Sequence, residues 1–202
     1  MPLVPTFMSS QMRIKGNSLL ISGDKFSPFV SAVSNATASY ITSSAVVNAI
    51  NSALGPGSGT FTGRISGLSS STMSNLMRIK ASSALLTGRD IKKLLDSVAH
   101  GVVQSMNTVV VQGVVIGAGP GTGNARVLAL VPTALENLII AQMSAKILTG
   151  DNLRKLVSSI AFGICNHIMT SGTITTTCVG AAAGPPAGPV TIPTAPGTGR
   201  LV

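Results

Sequence analysis

One motif occurs three times along the chain. Pro56-Gly57-Ser58-Gly59, Pro120-Gly121-Thr122-Gly123 and Pro196-Gly197-Thr198-Gly199 share a pattern, and each precedes an arginine and a branched apolar residue: Arg64-Ile65, Arg126-Val127 and Arg200-Leu201. A recurring pattern at a near-constant period defines the folding unit before any other reading is made. Further markers keep the same register. Ser22-Gly23, Thr87-Gly88 and Thr149-Gly150 are spaced by 65 and 62 residues. Met12-Arg13-Ile14-Lys15 maps onto Met77-Arg78-Ile79-Lys80, Asn75-Leu76 onto Asn137-Leu138, and Val4-Pro5-Thr6 onto Val131-Pro132-Thr133. The chain therefore reads as three tandem units over residues 1–65, 66–127 and 128–202, the third lengthened by an insertion in its Pro/Gly-rich stretch.

Each unit predicts a pair of helices, then β-branched segments around a Gly-rich turn. This is an α+β class with short strands. In the third unit Pro132-Thr133 opens the first helix, Thr133 and Glu136 form a capping box, and Leu135, Leu138 and Ile139 follow at helical spacing. Ser/Thr-Gly then breaks the chain, and Thr87-Gly88-Arg89-Asp90 reads as a start signal for the second helix. Asp24, Asp90 and Asp151 are placed in that helix's first turn, where a negative charge suits the helix dipole. Its apolar stripe is Ile91, Leu94, Leu95, Val98 and Val102 in the middle unit. The third unit carries Leu153, Leu156, Val157, Ile160 and Ile164, and the first Phe26, Phe29, Val30 and Val33. Gly101 and Gly163 occupy equivalent places in this helix. Glycine there costs about 1 kcal/mol against alanine, so its recurrence predicts close helix packing. Val46-Val47, Val109-Val110-Val111 and residues 173–179 read as the extended segments.

Only 9% of the 202 residues are charged and 45% are hydrophobic. A soluble domain usually has about 25% charged residues, so this surface suits contact with neighbours. The longest apolar runs fall well short of the ~18 residues of a membrane span, and the N-terminal residues lack the apolar core of a secretory signal. The net charge is +9, dispersed over equivalent positions of the units. That pattern fits an acidic protein neighbour or solvated helix faces. Nucleic acid is less favoured, because one Tyr and no Trp leave few platforms for base stacking.

The chemistry-bearing residues form no catalytic set. Gly117 to Gly123 resembles a phosphate loop, but no Gly-Lys-Ser/Thr follows and Pro120 removes a backbone donor. Cys165-x-His167 lacks further metal ligands nearby, and Cys165 and Cys178 read as buried free thiols. No catalytic residue, metal or cofactor is expected. The residues expected to meet a partner are Arg64, Arg126 and Arg200 with Gly57, Gly121 and Gly197 at the arm tips.

The third unit resembles small structural proteins of tailed bacteriophages. The residues that carry the likeness are Leu156-Val157-Ser158-Ser159-Ile160-Ala161, Thr173-Ile174-Thr175-Thr176-Thr177 and Gly197-Thr198-Gly199-Arg200. The resemblance is one of composition and order. It implies a non-enzymatic virion component, a tail, neck or baseplate protein whose extended arms tie other virion structural proteins together. Capsid decoration is the alternative, and a basic nucleic-acid-binding module the second. A triplicated unit imitates a trimer, so a homo-oligomer of threefold or sixfold symmetry is expected.

Overall fold

The computed structural model describes residues 3–53, 57–117, 121–178 and 195–201. Those residues form a mixed α+β fold of six helices and six strands. The order along the chain is α1 (Pro5–Ser18), α2 (Phe26–Ser44), β1 (Val46–Ala53) and β2 (Gly57–Ser66). Next come α3 (Ser70–Ser83), α4 (Arg89–Thr108), β3 (Val110–Gly117) and β4 (Gly121–Leu128). Last are α5 (Pro132–Ala145), α6 (Asp151–Ser171), β5 (Thr173–Cys178) and β6 (Ala195–Leu201).

The helices close into a ring in which each packs on its two neighbours in sequence and α6 returns to α1. α1, α3 and α5 are 14 residues long and present a narrow apolar stripe. Met8 and Met12, Met73 and Met77, and Leu135, Ile139 and Met143 are buried at four-residue spacing along it. α2, α4 and α6, of 19, 20 and 21 residues, are the more deeply buried set. The expected close packing at the helix glycines is present. A Cβ on Gly163 would lie 2.3 Å from Met12 Cγ and 2.9 Å from Met12 N, and one on Gly101 would lie 2.6 Å from Ile139 Cγ1. Only a bare α-carbon lets those backbones approach.

The strands form an antiparallel sheet closed into a barrel in the order β1-β2-β3-β4-β5-β6, with β6 pairing back onto β1. Three pairings, β1–β2, β3–β4 and β5–β6, join strands consecutive in the same block of the chain. The other three, β2–β3, β4–β5 and β6–β1, join strands far apart in sequence. Side chains alternate as a barrel requires. Val47, Ile65, Val111, Ala125, Val127 and Ile174 are buried, while Asn48, Arg64, Gln112, Asn124 and Arg126 are exposed. The wall is tight at Gly113, where a Cβ would meet Asn124 O at 2.4 Å and Ala125 Cα at 2.6 Å. The helices sit at the end where strands enter and leave the ring, with α4 on β2, α6 on β4 and α2 on β6.

Several local expectations need correction. Thr133 does not cap α5: the helix begins at Pro132 with Val131 as N-cap and no side-chain cap, so no capping box with Glu136 forms. Thr87 does not cap α4, whose N-cap is Gly88 at φ 130°. Asp90 and Asp151 do lie in first turns, but Asp24 precedes Lys25, the N-cap of α2. The cap that does form is Ser69, whose side chain accepts from Thr72 N–H at the start of α3.

Candidate functional site

The residues expected to meet a partner lie on the barrel and are spread around it. Arg64 is on β2 opposite Asn48 and Val110, Arg126 on β4 opposite Gln112 and Thr173, and Arg200 on β6 opposite Val46 and Thr175. They occupy every second strand, each offset by two residues from the next across the strand between them, and form a belt rather than a cluster; the side chains of Arg64 and Arg126 are exposed. Gly57 and Gly121 are the first residues of β2 and β4, and Gly197 is the third residue of β6. Gly57 pairs with Gly117, Gly121 with Cys178, and Gly197 with both Ala49 and Cys178. Each belongs to the returning strand, and the turns before Gly57 and Gly121 (54–56, 118–120) and the stretch 179–194 lie outside the described residues. The described arms therefore use their main-chain groups on each other, which leaves no free strand edge among them.

Cys165 and His167 are both buried on α6 and do not form a pair of ligands. Burial pushes the Cys165 thiol up to about 12, so no thiolate is present at neutral pH. His167 Nε2 accepts the Val4 N–H at 2.8 Å, which places the ring proton on Nδ1. Nδ1 is buried without a hydrogen-bond partner, and burial lowers the pKa of the ring below its ordinary value. The Phe7 ring lies 5.4 Å from the imidazole, centroid to centroid. This histidine fastens α6 to the start of α1. Among the described residues no group of His, Cys, Asp and Glu has the makings of a metal site.

A polar cluster not foreseen from sequence lies where α3, α4 and α5 meet. Asp96 receives Arg78 Nη2 at 2.6 Å on both carboxylate oxygens, accepts from Ser74 Oγ, and has Lys146 Nζ at 4.0 Å. A polar cavity of about 320 Å³ adjoins it, with His100 on its wall. Drawn to Arg78 and Ser74 of α3 and facing Lys146 just past α5, the Asp96 carboxylate acts as a clamp between helices. At the motif spacings of 65 and 62 residues from Asp96 stand Ser31 and Ser158, so the motif register gives no hint of the cluster.

An apolar bowl of about 570 Å³ opens at the end of the helix ring away from the barrel. Ile21 and Leu86, Phe26, Ile91 and Leu153, and Phe29, Leu94 and Leu156 form its walls. All three helix–helix turns contribute to it, and Lys25 and Asp151 stand among its lining residues. Each turn is a helix C-terminal motif with two backbone bonds, such as Ile21 N–H to Gly16 O and Leu20 N–H to Asn17 O. The same pair recurs as Leu86 to Ala81 with Leu85 to Ser82, and as Leu148 to Met143 with Ile147 to Ser144. The left-handed residue of this motif is usually glycine, yet here it is Leu20, Leu85 and Ile147, at φ 59°, 55° and 57°.

No known protein family, curated protein or solved structure matches the chain. No helix among the described residues is long and apolar enough to cross a membrane.

Proposed function

We propose that the chain is a non-enzymatic structural component of a phage particle, built as three copies of one helix–helix–hairpin unit that stand in for a trimer. The observation that carries this is closure: a single chain completes both a ring of six helices and a barrel of six strands. The three-unit reading is supported by positions that match at spacings of 65 and 62. Met8, Met73 and Leu135 are buried alike, as are Met12, Met77 and Ile139. Ala36, Gly101 and Gly163 mark one small-residue site on the second helices, and Leu20, Leu85 and Ile147 share one left-handed conformation.

The role follows from what such an object offers. It has a threefold outline, few charges, a belt of arginines on the barrel and no constellation suited to acid–base or nucleophilic chemistry among the described residues. Together with the resemblance of its third unit to tailed-phage structural proteins, this favours a tail, neck or baseplate position, where two such chains supply six units to a sixfold axis. With the described arms paired inside the barrel, the ties to neighbouring virion proteins run through the arginine belt. Capsid decoration is the second reading, favoured by the same threefold outline.

Purified intact particles test this directly. The protein is expected among their constituents by mass spectrometry, with antibody label at one end of the tail in electron micrographs. Label over the head shell would favour decoration, and absence from purified particles would remove the virion role.

A further inference from the structure

The ring end of the molecule carries a feature that folding alone does not explain. Leu20, Leu85 and Ile147 each occupy a backbone conformation that costs roughly 1–2 kcal/mol for a residue with a Cβ. Each is also 87%, 79% and 86% exposed, respectively. Glycine at these positions would relieve the strain and remove apolar surface from water. A β-branched isoleucine at positive φ is the more costly of the three. Three equivalent turns thus hold an unfavourable residue in an unfavourable conformation, which points to a gain made outside the chain.

The surroundings state the chemistry of what they meet. Ile21 and Leu86, next to two of these prongs, and Thr149, two residues past the third, line the apolar bowl, so the prongs stand around its mouth. Most of the chain's 14 Lys and Arg fall in the last turns of α1 and α3, in the helix–helix turns or in the opening turns of α2, α4 and α6. Lys25, Lys80, Arg89, Lys92, Arg154 and Lys155 are exposed there, against Asp24, Asp90 and Asp151. Each prong stands alone on a tight turn at the rim of the bowl, so this end presents separated apolar points around an apolar concavity within a cationic field. Apolar points that enter an acyl layer while cations remain at anionic headgroups are the physical signature of interfacial docking.

We propose that this end docks on an anionic lipid surface, with Leu20, Leu85 and Ile147 inserted below the headgroups and the surrounding Lys and Arg on the lipid phosphates. The chain lies on the surface and does not span it. The inference is independent of the particle assignment: it is a property of the isolated chain, read without any other virion protein.

Co-sedimentation of the full chain with phosphatidylcholine vesicles containing about 30 mol% phosphatidylglycerol tests it. Binding is expected at low salt, weaker by roughly tenfold or more on pure phosphatidylcholine, and reduced at high salt. The triple variant Leu20→Gly, Leu85→Gly and Ile147→Gly is expected to melt at a higher temperature than the parent, because glycine suits the left-handed position, and yet to lose roughly tenfold or more in vesicle binding. Unfolding therefore cannot imitate the result. A control variant, Arg64→Ser with Arg126→Ser, changes charge on the barrel and is expected to bind as the parent does. No binding of the parent to the anionic vesicles overturns the proposal and leaves an acidic protein as the partner of this end. A triple glycine variant that binds like the parent, or a barrel control that loses as much as the glycine variant, also overturns it.

Discussion

Two seams of the helix ring invite comparison. The α2–α3 seam is crossed by the chain itself, through the β1–β2 hairpin and a short link. It carries one long-range polar bond, Ser69 N–H to Tyr40 Oη at 2.7 Å. The α6–α1 seam has no such covalent path, since the elements it joins are the last helix and the first. It carries more fastenings: Val4 N–H to His167 Nε2 at 2.8 Å, Ser159 Oγ to Met12 O at 2.6 Å, and Asn166 Nδ2 to Gln11 Oε1 at 2.9 Å. Gly163 lets α6 approach Met12, and Lys15 Nζ sits 5.7 Å above the Phe162 ring. In the proposed three-unit register Tyr40 matches His167, and the backbone donors they hold, Ser69 and Val4, match as well. One fastening is thus kept at both seams, and the seam without a covalent link adds side-chain bonds around it. A closed ring needs its weakest closure reinforced, because loop entropy helps the linked seams and not this one.

The comparison is broken most severely by volume. Gly163→Leu is expected to cost about 3 kcal/mol or more, because the added atoms meet the Met12 backbone as well as its flexible side chain. Ala36→Gly at the equivalent place on α2 is expected to cost only about 1 kcal/mol. Thermal or denaturant unfolding of the two variants measures the difference. His167→Ala follows at about 2–4 kcal/mol, combining a cavity against Phe7 with an orphaned Val4 N–H, whereas Tyr40→Phe is expected to cost about 1 kcal/mol.

Acid sharpens the contrast further. His167 has a folded pKa below its ordinary value of 6.5, so the unfolded chain takes up a proton first. The stability it contributes is fully present above that unfolded value and is lost as the pH falls through the folded one. The charged ring would also set an N–H against the Val4 N–H. Unfolding scans from neutral pH downward are expected to show this loss in the parent and a flatter profile in His167→Gln, which retains an acceptor but does not titrate. An equally steep profile in that variant would assign the acid sensitivity elsewhere. The smallest effect is expected at the α3–α4–α5 clamp. Arg78 and Asp96 side chains are 39% and 27% exposed, and solvent screens the pair, so Asp96→Asn should cost about 1 kcal/mol or less.

The positions of the helices and strands were legible because apolar spacing and turn residues are local signals. Val110, Val111 and Thr173 to Cys178 are β-branched enough to read as strands without any partner in view. Who pairs with whom is not local. Nothing in Arg64 or Gly63 announces that they face Val110 and Val111, so the closed barrel was read as reaching arms. The glycines of the Pro-Gly motif read as tips because glycine marks turns, and they are also strand residues paired with a neighbouring strand. The prongs were hidden for the opposite reason: at Leu20, Leu85 and Ile147 the residue type contradicts its conformation, so turn chemistry placed the break at the following glycines. Asp96 was legible as an acid and not as a clamp, since its partners come from Arg78 and Lys146 on two other helices.

The closing pairs of ring and barrel carry one more consequence. Leu201 pairs with Ile174 on the strand that follows α6, and Val4, next to Pro5, is bonded to His167 on α6, much as Ser66 pairs with Val46 on the strand that follows α2 and Ser69, next to Ser70, is bonded to Tyr40 on α2; three residues connect Ser66 to Ser70. In packing and pairing, the described elements form a closed circle. A circularly permuted chain, joined by a few residues from Leu201 back to Pro5 and opened between Ser66 and Ser70, is expected to fold to the same ring and barrel. The reinforced seam would then become an ordinary linked one, and its hydrogen bonds dispensable.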